Sequence, residues 1–406
     1  FICAFNFLTL SLFLLNHIQP LSIASFIYRS LSSSMARGLK IWFLVSIMLL
    51  VVDLGPLARG EPQVPCYFIF GDSLFDNGNN NGLLTSARAN FPPYGIDFPG
   101  GPTGRFSNGR NMADVIAELL GFETYIPPFA TASGQEILTG VNYGSGGAGI
   151  RDETGLQLGD RISMNKQLLN HQVTISRIAQ LLGSKDLAEE YLSKCMYSVG
   201  MGNNDYINNY LQPEYYPTST LYTADQYAAA LIEQYSQQIN TLYNYGARKV
   251  ALFGLGLIGC TPAELATYGT NGSACVNTIL YDVQLFNDRL VSLVDDLNNN
   301  LTDAKFIYIN STGIGSGDSS SIGITVVNVS CCDVSSNWGK GQCIPLSVPC
   351  SNRSTYAFWD AFHPTEHVNV ITAGRSYSAQ SPTDAYPFDI DTLAQLSLQR
   401  LRSSYK

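Results

Sequence analysis

Short apolar, β-branched and aromatic runs recur along the chain at residues 66–70, 141–143, 195–201, 249–253 and 305–309. Each reads as a buried strand. Between them lie stretches with apolar residues at helical spacing, at 112–120, about 163–182, 186–193, 224–245 and about 276–299. Gly121 and Gly246 stop two of these helices, and Ser184 caps another. Strands alternating with helices predict one parallel sheet covered on both faces, with right-handed crossovers. Polar and glycine-rich groups follow three of the strands: Gly71-Asp72-Ser73, Gly144–Gly149 and Gly202-Asn203-Asn204-Asp205. Parallel strands deliver all three to the same edge, where ligands bind in open α/β sheets.

The amino end breaks this pattern. The first methionine is Met35, so residues 1–34 read as an upstream extension. Arg37 and Lys40, the apolar run Ile41–Val52 and then Ala58-Arg59-Gly60 have the layout of a secretory signal peptide over 35–60. That run is too short to span a bilayer, so no membrane anchor is expected. The remaining 61–406 read as a single domain, 45% of the whole chain being hydrophobic and 14% charged. Removing 1–60, with four basic residues and one acidic, takes the formal charge from −9 to about −12, which argues against nucleic acid and anionic membrane partners. A secreted, extracellular monomer follows.

Cysteine usage fits export. Eight cysteines remain after Cys3 is set aside: Cys66, Cys195, Cys260, Cys275, Cys331, Cys332, Cys343 and Cys350. Their even number suggests disulfides of open connectivity, and those from 331 to 350 would staple an irregular region. Asn271, Asn300, Asn310, Asn328 and Asn352 stand in glycosylation sequons.

A hydroxyl (Ser73), a bare backbone N–H (Gly146) and a side-chain amide (Asn204) at one sheet edge suit acyl transfer. A serine nucleophile needs a base. His171 lies mid-helix among apolar residues and reads as structural, whereas His363 follows Asp360 by three positions in Trp359-Asp-Ala-Phe-His-Pro-Thr-Glu-His367. That spacing lets the carboxylate hold the imidazole. Gly317-Asp318-Ser319 repeats the first tripeptide with no strand before it and reads as a turn.

Two rivals are weaker. His363-Pro-Thr-Glu-His367 fits a zinc-protease pattern, yet no glutamate follows Glu366 to supply the third ligand, so no metal is expected. A glycosidase would need a singled-out carboxylate pair, and none stands out. No cofactor motif is present: the 144–149 loop has neither a Walker lysine nor the dinucleotide spacing.

Phe70-Gly-Asp-Ser-Leu-Phe-Asp-Asn-Gly-Asn-Asn-Asn81, Thr103-Gly-Arg-Phe-Ser-Asn-Gly-Arg110, Asn142-Tyr-Gly-Ser-Gly-Gly-Ala-Gly149, Gly202–Asp205 and Phe358–Glu366 together resemble the plant GDSL esterase/lipases of the SGNH hydrolase superfamily. The likeness runs from about residue 64 to the end. It implies a three-layer, flavodoxin-like α/β/α sandwich on a five-stranded parallel sheet. It further implies Ser73 as nucleophile, His363 as base and Asp360 as its orienting partner, with the N–H groups of Ser73 and Gly146 and the Asn204 amide as oxyanion hole. The expected substrate is a small-molecule or lipid ester. Gly144 stands where the family usually has alanine, and Phe75 where a smaller aliphatic residue is common, which would narrow the pocket. Transfer of the acyl group to another alcohol, and a non-catalytic binding or defence role, are the alternative functions on this scaffold.

Overall fold

Successive residues of a strand point to opposite faces, and here both faces are apolar. The structure, a computed structural model, describes residues 61–269, 272–334 and 341–397. Strands β1 (Tyr67–Gly71), β2 (Met196–Gly200), β3 (Lys249–Phe253) and β4 (Lys305–Ile309) lie in that order, all parallel. Phe68, Phe70, Tyr197, Val199, Val250, Leu252, Phe306 and Tyr308 form one buried face. Tyr67, Ile69, Met196, Ala251, Phe253, Ile307 and Ile309 form the other.

Each face is covered by helices with a matching apolar stripe. Helices α2 (Met164–Leu182), α4 (Ala224–Asn244) and α6 (Asn277–Asn300) bury Leu168, Leu231, Tyr235, Phe286 and Leu290 against the first face. On the second, α1 (Met112–Leu119), α7 (Glu366–Tyr377) and α8 (Ile390–Gln395) contribute Ile116, Ala373 and Leu393. The caps are local chemistry: Ser184 Oγ accepts from Leu187 N at the start of α3 (Lys185–Leu192), and Gly246, with φ of 108°, ends the turn after α4. A short helix, α5 (Pro262–Tyr268), lies between β3 and α6. The result is the expected three-layer sandwich, and residues from Pro62 onward form one compact unit. Residues 1–60, where the upstream extension and the signal peptide are expected, lie outside the described residues. No helix among those described is long and apolar enough to cross a membrane.

Outside the main sheet, β5 (Val326–Ser330) pairs in parallel with β6 (Tyr356–Phe358). The sheet itself differs from expectation at its edges. Its fifth strand is β7 (Ala385–Tyr386), which runs antiparallel beside β4. Residues 141–143 instead flank the free edge of β1, where Ile69 N donates to Val141 O at 3.1 Å and Tyr143 N to Ile69 O at 2.7 Å. Tyr67 N donating to Thr139 O and Ser145 N to Gly71 O, both at 3.0 Å, carry this edge pairing past the glycines at 140 and 144. With it in place, the chain order doubles back at β1, the flavodoxin-like switch point above which ligands bind.

The eight cysteines form four disulfides. Cys66–Cys195 joins the entries of β1 and β2, and Cys260–Cys275 closes the loop that carries α5. Cys331–Cys350 and Cys332–Cys343 staple the irregular segment after β5. Of the sequons, Asn300, Asn328 and Asn352 are exposed, and Asn271 lies outside the described residues. Asn310 is half-buried and engaged: its Nδ2 donates to Thr383 O at 2.9 Å and its Oδ1 accepts from Gly313 N at 2.9 Å.

His171, on α2, is fully buried among Phe68, Phe70, Tyr143, Tyr197 and Tyr245. Its Nδ1 lies 3.0 Å from the Tyr143 hydroxyl, and no carboxylate offsets a charge there. Burial pushes its pKa down to about 3. Because the unfolded chain takes up this proton first, the stability it contributes is present at neutral pH and is lost as pH falls below about 6.5. His171→Phe should therefore cost about 1 kcal/mol at pH 7 through the lost Tyr143 bond. That deficit should shrink or reverse by pH 4.5, as measured by urea unfolding at the two values; an unchanged difference would contradict the buried neutral imidazole.

Candidate active site

Chain ends of the parallel strands converge on a cavity of about 1470 Å³. Ser73 enters it from the turn after β1. That turn is held by Asp72, whose carboxylate accepts from Leu74 N at 3.0 Å and from Asn203 Nδ2 at 3.0 Å, tying the β1 turn to the β2 turn. Burial raises the Asp72 pKa, and the Asn203 bond and the nearby His363 oppose the rise. Phe75 lines the cavity with a ring that is otherwise buried, edge-on to Phe253 at 5.3 Å. A Cβ at Gly200 would come within 2.2 Å of that ring, so glycine there makes room for the larger side chain.

The base arrives from the far end of the chain. Between β6 and α7 the backbone folds back on itself, with Trp359 N donating to His363 O at 2.7 Å and Phe358 bridged to Pro364. Within this loop Asp360 Oδ1 accepts from the N–H groups of Phe362 (2.9 Å) and His363 (2.8 Å), so a turn, not a helix, sets the three-residue spacing. His363 Nδ1 lies 2.8 Å from Asp360 Oδ2, and its Nε2 lies 2.7 Å from Ser73 Oγ. Asp360 is wholly buried and His363 8% exposed, so the pair is shielded while the serine faces the cavity. Both ring nitrogens of His363 are thus committed, and His367 Nε2 contacts Ile322 O at 2.9 Å, which leaves the zinc-protease pattern without its ligand geometry.

Two features escaped the sequence. Tyr94 donates its hydroxyl proton to Asp360 Oδ2 at 2.6 Å and accepts from Cys343 N at 3.2 Å. Nothing local marks Tyr94; only the fold, through the Cys332–Cys343 disulfide, brings it to the acid. The second is the Asn/Gly-rich stretch after Ser73. Its side chains stitch two loops together: Asp76 Oδ1 accepts from Gly78 N and Asn79 N (both 2.7 Å), and Asn80 Nδ2 donates to Gly146 O at 2.8 Å.

That stitching changes the oxyanion assignment. Gly146 N donates to Asp76 Oδ2 at 3.0 Å, in a site where burial pushes that carboxyl up to about 6. Its N–H is therefore turned away from the cavity and engaged, and the expected donor at 146 is corrected. The next residue, Gly147, lines the cavity together with Ser73 and Asn204, and its φ of 77° needs glycine. Asn204 Nδ2 donates to Ala148 O at 2.9 Å, which leaves one amide hydrogen, and its Oδ1 accepts from Asn208 at 2.6 Å.

A hydroxyl, an oriented imidazole and neutral donors at one edge are the parts of a serine acyl hydrolase. The sequence agrees: the model of the GDSL-like lipase/acylhydrolase family matches residues 67–375. The chain belongs to that family. It is therefore a carboxylic ester hydrolase. It is 54% identical to GDSL esterase/lipase At1g29660 of Arabidopsis thaliana, over 89% of this chain and all of that one. It is also 55% identical to At1g29670 (87% and 98%) and 50% identical to At5g45670 (87% and 98%), both of the same plant and the same description.

Removing the Tyr94 hydroxyl leaves Asp360 one donor short. Tyr94→Phe should lower kcat about tenfold, the rate equivalent of a charge-assisted bond partly replaced by rearrangement, while KM changes less than twofold. Ester hydrolysis kinetics with a parallel melting curve check this; a change in KM alone would remove Tyr94 from the triad's support.

Proposed function

We propose that the protein is a secreted serine esterase that hydrolyses neutral carboxylic esters through an acyl-enzyme. The observation that carries this is the contact of Ser73 Oγ with His363 Nε2 at 2.7 Å, with Asp360 on the other ring nitrogen. Ser73 attacks the ester carbonyl while His363 takes its proton, and Asp360 stabilises the imidazolium. The tetrahedral oxyanion is held by the N–H groups of Ser73 and Gly147 and the free amide hydrogen of Asn204. His363 returns the proton to the leaving alcohol, then activates water to release the acid.

The cavity supports a neutral, largely apolar substrate. Leu211, Leu257, Ile258, Ile314 and Phe362 line it beside Ser73. Arg375 is the one lysine or arginine lining it among the described residues, and Asp384 holds its guanidinium. Asp72, Glu214, Glu264 and Asp318 add carboxyls. Such a field disfavours anionic ligands, so a charged phospholipid fits less well than a neutral ester, and the acid product is driven out.

Export through an oxidising compartment is supported by the four disulfides. On this reading 35–60 is a cleaved signal peptide, 61–406 is the mature domain, and the exposed Asn300, Asn328 and Asn352 are the sugar acceptors in preference to the engaged Asn310.

Ser73→Ala and His363→Ala should each lower hydrolysis of p-nitrophenyl esters by roughly 10³-fold or more, and the double variant little further, because the two act as a unit. Wild-type-like rates from either variant would refute the mechanism. Secreted protein should begin near Glu61 and lose mass on deglycosylation; an intact amino end on exported protein would refute the cleavage.

A further inference from the structure

One carboxyl in the cavity has no part in the machinery described so far. Glu264 sits in the first turn of α5, where Thr261 Oγ1 accepts from its backbone N–H at 3.4 Å. It is only 4% exposed, and it lines the same cavity as Ser73 and His363. Among the described residues no hydrogen bond or ion pair reaches its carboxylate. Tyr268, one turn along α5, lies close enough to feel the charge of Glu264 and adds no positive charge.

Its position is fixed. The Cys260–Cys275 disulfide joins the two ends of the loop that carries α5. Just after Cys260, Ala263 N donates to Ala361 O at 3.1 Å, inside the loop that carries Asp360 and His363. Glu264 is therefore anchored to the catalytic loop, on a wall of the substrate cavity rather than on a mobile surface.

A buried carboxyl without a protein partner is costly unless a ligand completes it. We propose that Glu264 is a substrate-recognition residue whose carboxyl binds a hydroxyl group carried by the ester, on its acyl chain or on its alcohol part. This rests on the serine esterase reading above. A hydroxyl is favoured over an amine or an acid by the state of the carboxyl itself. Burial pushes it up to about 7, so near neutrality it is populated both as an acceptor and as a donor. A hydroxyl complements both states, an ammonium only the ionised one, and a carboxylate only the protonated one. The remaining wall of aliphatic residues contacts the rest of the chain, so Glu264 selects among esters that are otherwise alike.

The test measures equilibrium binding to Ser73→Ala protein, which retains the ester uncleaved. The acyl arm compares p-nitrophenyl hexadecanoate with its 2-, 9- and 16-hydroxy derivatives. The alcohol arm compares monohexadecanoylglycerol with its dimethyl ether. At least one hydroxylated ester should bind about tenfold or more tightly than its hydroxyl-free counterpart, and the arm in which it does so identifies where the hydroxyl lies. Adding Glu264→Leu should bring that ratio to within about twofold, whereas Glu264→Gln, which still accepts and donates, should keep most of it. Equal affinities in every pair, or a preference that survives Glu264→Leu, would overturn the proposal. Because binding is read without turnover, failure of Ser73 as nucleophile would show separately, as wild-type and Ser73→Ala proteins cleaving the esters at equal rates.

Discussion

The structure depends on keeping one buried carboxylate satisfied. Asp360 has no access to solvent, and a charge in that position costs several kcal/mol unless donors replace the water it lost. Four donors surround it: the backbone N–H groups of Phe362 and His363, the His363 ring and the Tyr94 hydroxyl. Each comes at a geometric requirement. The two backbone groups demand a tight turn, which Trp359 N to His363 O closes. Tyr94 demands that a segment from the first quarter of the chain reach the last. The disulfide region meets that demand: Cys331 N and Cys332 N donate to Phe358 O and Trp359 O, and Cys343 N donates to Tyr94. The staples thus act on the histidine loop, and through it on the contact between His363 and Ser73.

The opposing side of the site is held in a similar way, by side chains rather than by regular structure. Asp76 fixes the loop after Ser73 to the glycine-rich loop through Gly146 N, and Asp205 fixes the latter to the β2 turn through Ile150 N, Arg151 N and the Thr154 hydroxyl. Burial pushes both acids up to about 6, with their backbone donors pulling the other way. Loops built like this are rigid at low residue count, since each carboxylate replaces several rungs of a ladder. The arrangement fixes glycine 147 and Asn204 relative to Ser73 without a helix or strand between them.

Much of this was legible in the sequence, and what was not has a common cause. The four central strands could be read because each is a continuous apolar run, buried on both faces, and needs only local pattern to declare itself. The placement of Ser73 and Asn204 at the cavity was legible for the same reason, since they follow such strands directly, and His363 stood out because histidine is scarce. Tyr94, the bond from Gly146 to Asp76, and the two-residue antiparallel strand at Ala385–Tyr386 were not. Each is defined by a partner distant in sequence, and no composition or periodicity encodes which N–H points where. Gly146 and Gly147 illustrate the limit: adjacent and identical in type, one spends its N–H on a carboxylate of another loop while the other lines the cavity.

Context also explains why the acid beside the serine is not the acid that meets the imidazole. Asp72 precedes Ser73 and lies near His363, yet its oxygens are taken by Leu74 N and Asn203, so it shapes the turn and leaves the imidazole alone. Asp360 can reach Nδ1 because the same turn presents both residues from one loop. The repeated tripeptide Gly317-Asp318-Ser319 makes the complementary point. It lines the same cavity, but Asp318 spends its carboxylate capping Ser320 N, the surrounding residues are exposed, and the imidazole of His363 is held elsewhere by Asp360 and Ser73. A serine at a cavity wall gains a base only where an imidazole, its second nitrogen already held, comes within reach. In this fold that contact belongs to the junction of two loops, and the strand that feeds Ser73 matters because it ends where the junction forms.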